Sequence, residues 1–154
     1  MATISYLFEE PEVSLNAPRR DTKSVGDRSE ATVLAALVRH GFLCSIPFGE
    51  NHRYDLIADD GQNVYRAQVK TGRLKNGAIS YANSSSHQHR RSGPTSTRSY
   101  FGQIDFLAVY CPQNGKVYLV PESELVATRA HLRVEPAVNR QEKGIRWAAR
   151  FELT

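Results

Sequence analysis

The chain has 154 residues, 40% hydrophobic and 23% charged, which suits one domain with a buried core and excludes the low-apolar, high-charge profile of a disordered chain. No apolar run approaches the roughly 20 residues that span a bilayer, and Met1 to Phe8 has no basic leader, so a cytoplasmic protein with no membrane partner is expected. The formal net charge of +4 says less than its distribution: Arg66, Lys70, Arg73, Lys75, Arg90, Arg91 and Arg98 lie between Gln62 and Ile104, with no Asp or Glu among them.

Residues 1–22, with Pro11, Pro18, Arg19 and Arg20 and no periodicity, read as an N-terminal tail with one short strand near Ile4 to Phe8; residues 23–154 read as a single domain. A helix is expected from about Ser24, with Ser24 and Asp27 as a capping box, through Val33, Leu34, Leu37 and Val38 to a stop at Gly41. Glu30 lies four residues before Leu34 and seven before Leu37, on the same inward side of a helix with 3.6 residues per turn. A carboxylate there is costly unless it is paired or holds a metal. Phe42 to Pro47 reads as a strand and Phe48 to His52 as a loop.

Arg53 to Ala58 and Val64 to Lys70, joined at Asp59 to Gln62, read as a hairpin. If the turn centres between Gly61 and Gln62, Asp55 stands opposite Gln68. Lys70 then shares that face, while Ala67 and Val69 point the other way.

Residues 72–99 contain Gly72, Gly77, Gly93 and Pro94 in a Ser/Thr/His/Arg-rich stretch, so a long, partly irregular region with one strand at Ala78 to Tyr81 is expected. Phe106 to Cys111 and Lys116 to Val120 form a second hairpin, Pro121 to Glu124 starts a short helix, and a strand follows near His131 to Glu135. A polar loop (Asn139 to Gly144) leads to the Ile145 to Phe151 segment. Cys44 and Cys111 sit among strand-like apolar neighbours and read as buried thiols.

Phosphodiester hydrolysis needs a cation on a phosphate oxygen and a positive group against the developing charge. Asp55 suits a magnesium ion, the Val69 carbonyl can complete its oxygen shell, Lys70 can orient the nucleophile, and Glu30 is a fourth candidate. The bland alternative is a cross-strand Asp55–Lys70 ion pair with Gln68 a solvated strand residue. The basic 62–104 segment suits phosphate binding, or is a solvated basic surface. Within it the segment from Asn83 to Ser99 is expected to become ordered on DNA, with His87 and His89 as DNA contacts or exposed side chains. Asp105 and Tyr100 are expected to support the site rather than bind metal, Asp105 by capping its strand or holding a basic residue.

The order Glu30 helix, Asp55 strand, turn, Gln68-Val69-Lys70 resembles the PD-(D/E)xK nuclease superfamily, in the branch with the small group I intron-encoded homing endonucleases. Supporting stretches are Gly26-Asp27-Arg28-Ser29-Glu30, Pro47-Phe48-Gly49-Glu50-Asn51, Tyr54-Asp55-Leu56-Ile57, Gln68-Val69-Lys70-Thr71-Gly72-Arg73, Tyr100 with Ile104-Asp105-Phe106, Val117-Tyr118-Leu119-Val120-Pro121 and Ile145-Arg146-Trp147-Ala148. The likeness spans about residues 23 to 153. Tyr54 stands where the family name has proline, and Gln68 where it has the second acid.

The resemblance implies an α/β, restriction-endonuclease-like core, a mixed central β-sheet flanked by helices. It implies an endonuclease dependent on Mg2+ (or Mn2+) that cuts DNA, with site-specific double-strand cleavage by a homodimer or homotetramer. Asp55, Gln68, Val69 and Glu30 would surround the metal, Lys70 would sit at the nucleophile, and Arg73, Lys75, Arg90, Arg91 and Arg98 would contact DNA. The alternatives are a structure-specific nuclease such as a Holliday-junction resolvase, or a catalytically silent DNA-binding module.

Overall fold

The computed structural model describes residues 21–49, 51–88, 95–127, 129–136 and 143–154. The expected strand near Ile4, Arg90, Arg91, His89, the His87 side chain and residues 139–142 lie outside what is described. The elements are α1 (Thr22–Arg39), β1 (Leu43–Ser45), β2 (Leu56–Asp59), β3 (Val64–Thr71), β4 (Arg73–Lys75), β5 (Ala78–Ala82), β6 (Ser84–Gln88), β7 (Thr95–Ser99), β8 (Phe106–Cys111), β9 (Lys116–Pro121) and β10 (Arg129–Arg133).

Helix α1 starts earlier than the Ser24 capping box predicts. Asp21 is the N-cap, its carboxylate accepting the Lys23 N–H at 3.3 Å, while the Ser24 hydroxyl donates to the Asp21 carbonyl at 2.9 Å. Gly41, with φ of 86°, ends it as expected. The buried stripe is Ser29, Val33, Ala36 and Leu37, so Glu30, about 100° further round the helix, stands outside the core, largely exposed at the rim of a groove, rather than inward.

The main sheet has the order β1-β2-β3-β8-β9, with β3 parallel to β8 and the other pairs antiparallel. Its mixed character and the central place of β3 agree with expectation. On one face Leu56, Ala58, Ala67, Val69, Phe106, Ala108 and Val117 pack with Val33, Ala36 and Leu37 of α1. On the other, Leu107, Val109, Tyr118 and Val120 meet Ile79, Tyr81, Ala130 and Leu132 of a small antiparallel sheet ordered β10-β5-β4. That second cover is a sheet, and α1 is the one α-helix among the described residues. Strand β8, buried on both sides, accordingly reads as an unbroken apolar run.

Residues 72–99 are more regular than predicted. Gly72 carries the chain from β3 into β4, where a Cβ would stand 2.6 Å from Ile79 Cγ2 and 3.0 Å from Val109 Cγ1. Asn76 (φ 52°) and Gly77 (φ 69°) make a two-residue turn that pairs β4 with β5. Strands β6 and β7 pair from Ser84↔Ser99 to Gln88↔Thr95, in a stretch where the sequence pattern predicts no strand. Cys111 is fully buried, but Cys44 is only half-buried, with burial pushing its thiol pKa up. No helix among the described residues is long and apolar enough to cross a membrane.

Candidate active site

The β2–β3 hairpin pairs Leu56↔Ala67, Ile57↔Arg66, Ala58↔Tyr65 and Asp59↔Val64, the register expected from a turn centred after Gly61. Asp55 precedes β2 and extends that ladder, its N–H donating to the Ala67 carbonyl at 2.9 Å. Its carboxylate accepts the Val69 N–H at 2.8 Å and a hydrogen bond from Gln68 Nε2, which also lies 3.4 Å from the Val69 carbonyl. Burial pushes the Asp55 pKa up, against the opposing pull of the Val69 N–H, Lys70 and Gln68.

Ala67 and Val69 point to the α1 core, leaving Gln68 and Lys70 on the opposite face. Lys70 forms no ion pair with Asp55; its ammonium donates to the Tyr100 hydroxyl at 2.7 Å. Tyr100 is 3% exposed, and the Arg53 guanidinium stacks 4.6 Å from its ring centre. Arg53 also donates to Ser85 Oγ and the Ser99 carbonyl, both at 2.8 Å, and to Gln103 Oε1, tying the β6–β7 hairpin to the site. Sequence reasoning missed Arg53. The signal was its position two residues before Asp55, which in extended chain puts both side chains on one face.

Glu30 faces Asp55 across a groove of about 270 Å³, lined also by Asp27, Ala31, Leu34, Ile46 and Leu56. Burial, then Asp55, then Asp27 push the Glu30 pKa up. Two carboxylates that are both reluctant to ionise, beside an amide and a peptide carbonyl, form an oxygen-donor set that suits a hard divalent cation. Among the described residues no three His, Cys, Asp or Glu side chains are placed to hold a metal ion by themselves, so such a cation would draw on Gln68 and Val69 as well. The Gln68 amide has its nitrogen toward Asp55; half a turn of the amide presents Oε1 instead.

Asp105 supports β3 from beside the site. Its carboxylate accepts the Arg66 N–H at 2.6 Å and pairs with the Arg66 guanidinium at 3.1 Å, which holds its pKa below the ordinary range. Arg66 therefore drops out of the free basic surface. Of the predicted DNA contacts, Arg73, Lys75 and Arg98 are exposed.

A family model described as PD-(D/E)XK endonuclease matches residues 20–154. The solved structure of a bacterial homing endonuclease, I-Ssp6803I, is similar with a TM-score of 0.69 and 20% identity, covering 86% of this chain and 88% of that one. That likeness shows a restriction-endonuclease-like fold. No curated protein matches the chain.

Proposed function

Because the chain belongs to the PD-(D/E)XK endonuclease family, we propose that it is a divalent-metal-dependent DNA endonuclease working through Asp55, Gln68 and Lys70. The observation that carries this reading is the facing of Asp55 and Glu30 across one groove, both pushed toward the neutral acid, beside Gln68 and Val69 of β3. Asp55, Glu30, the Gln68 amide oxygen and the Val69 carbonyl would hold a magnesium or manganese ion. When bound, such a cation polarises the scissile phosphate and an attacking water.

The chain's own groups do the rest. Tyr100 anchors the Lys70 ammonium, so its charge stays within the site rather than pairing with Asp55. There it stabilises charge that develops on the phosphate oxygens. Arg73, Lys75, Arg90, Arg91 and Arg98 bind the DNA backbone. Double-strand cutting at a defined site requires two such centres and hence a homodimer or homotetramer.

The test is incubation of supercoiled plasmid and of a four-way junction with magnesium, manganese, calcium or chelator. Plasmid linearised at a fixed position, with magnesium or manganese alone, is the expected result. Preferential cutting of the junction would replace site-specific cleavage with structure-specific resolution. DNA binding without cutting in any metal would leave a silent binding module.

A further inference from the structure

The outward face of the small sheet carries cations that the catalytic centre does not use. In β10, Ala130 and Leu132 point into the core, leaving Arg129, His131 and Arg133 outside; in β4, Arg73 and Lys75 flank Leu74. The register lays them out in rows across β5: His131, Ser80 and Arg73 in one, Arg133, Ala78 and Lys75 in the next, with Arg129 beside Ala82. The β5 positions are small, so two cationic rails border a low central strand. Neighbouring strands lie about 4.8 Å apart, which sets the rails about 10 Å from each other.

Among the described residues none of the four Lys and Arg side chains is in an ion pair. Arg133 donates to the backbone carbonyls of Glu135, Asn76 and Pro136 at 2.9, 3.1 and 3.3 Å, and Arg129 reaches Ser80 Oγ at 3.4 Å. Glu135 packs over Gly77 at the end of the sheet and is in no ion pair with these cations. His131 and Arg133 form a ridge between two open depressions of about 340 Å³ each, one bordered by Arg146 and the other by Lys75. No large apolar side chain interrupts the rows, which argues against an apolar partner.

We propose that this face is a second docking surface for duplex DNA, gripping the phosphate backbone of the flank beyond the scissile bonds. The proposal rests on the DNA-endonuclease reading and adds Arg129, His131 and Arg133 to its contacts. A polyanion whose phosphates repeat along a track matches a patch of unpaired cations in rows, and displaced counterions supply the affinity.

The experiment measures binding of a labelled blunt duplex to full-length Asp55→Ala protein, in chelator, between about 50 and 200 mM salt. It compares that background with Arg73→Ala/Lys75→Ala/Arg129→Ala added to it. These three positions are exposed; Arg133 is left in place because it ties β10 to the Asn76 turn. Losing three phosphate contacts lowers the salt slope of log K by about 2.7, so across that fourfold range the parent loses about 40-fold more affinity than the triple variant. Arg73→Lys/Arg129→Lys should keep the slope, since charge and not shape carries the contact. If the parent binds and the triple variant, with an unchanged melt, has the same slope, this surface is wrong and Arg73 and Lys75 leave the list of DNA contacts, while the catalytic centre of the nuclease reading stands. If the parent does not bind duplex DNA at all, both fall.

Discussion

The Val69 N–H donates to the Asp55 carboxylate at 2.8 Å, which ties the residue before β2 to the middle of the central strand β3. The same oxygen accepts from Gln68, so Asp55 is oriented by two donors before any ligand arrives. On the proposed reading, a carboxylate held this rigidly acts on the reaction rather than on packing. Asp55→Ala and Lys70→Ala should each lower cleavage at least about a thousandfold while DNA affinity changes little. Asp55→Asn, which can still accept the Val69 N–H, should be equally inactive but better folded than Asp55→Ala, which leaves that buried donor unpaired at about 1–3 kcal/mol. Cleavage assays beside thermal melts decide it; near-native cutting by any of the three sinks the assigned centre.

Tyr100→Phe keeps the buried ring under Arg53 and removes only the oxygen that accepts the Lys70 ammonium. A positioning role predicts a single-turnover rate down about tenfold, the worth of about 1.4 kcal/mol in the transition state, at unchanged Kd for DNA. Arg53→Ala should do more, because it also unties the β6–β7 hairpin from the site. Its Kd should weaken together with the rate. Equal rates for Tyr100→Phe and the parent would reduce Tyr100 to a packing residue.

The hairpin that builds the site was legible because alternation and one turn fix every facing pair: once Gly61 is placed, Asp55 and Gln68 must meet. The helix was legible in its apolar stripe but not in phase. Leu34, used to orient it, is only partly buried, and the stripe centres on Ser29, whose hydroxyl is satisfied by the Val25 carbonyl at 3.1 Å and Thr71 Oγ1 at 2.6 Å. A buried serine carries no hydropathy signal, so Glu30 was turned inward by about one residue. Strands β6 and β7 were hidden for a related reason. They pair with each other and contain Ser, Thr, His, Gln and Arg, so no alternation of apolar and polar residues marks them in the sequence. The β4–β5 turn, by contrast, is legible as Asn76-Gly77, a pair whose two positive φ angles suit a two-residue hairpin.

Glu30 gives a pH test. Its pKa is raised in the fold, so on acidification the native state takes up a proton before the unfolded chain does. Stability is therefore relatively higher below the ordinary carboxyl pKa and is lost as pH rises through the raised value. In chelator, Glu30→Gln should melt higher than the parent at pH 8 and equal to it at pH 3.5. The partly exposed position keeps the gain small, under about 1 kcal/mol or about 4 °C. Magnesium should reverse the order at pH 8, since only the parent offers the second carboxylate. The same ranking at both pH values would show that neither burial nor the neighbouring Asp55 and Asp27 raises the Glu30 pKa.

Gln68 is where the chain departs from the family name, and the structure sharpens the sign of the change. Its amide nitrogen now donates to Asp55; Gln68→Glu replaces that donor with an anion facing an anion. Two unit charges about 4 Å apart repel by roughly 4 kcal/mol at an effective dielectric of 20, on top of the lost hydrogen bond. Without metal the variant should melt lower than the parent, and most clearly at alkaline pH, where both carboxyls are ionised. With a cation between them the same charge becomes a ligand, so the metal-dependent rise in melting temperature should be larger in the variant whatever happens to turnover. Thermal melts of both proteins across a magnesium titration, with calcium as a second cation, measure the two effects separately. A low metal-free melt without a larger metal-dependent rise would mean that Gln68 holds Asp55 in place but does not face the ion. The metal would then rest on Asp55, Glu30 and the Val69 carbonyl.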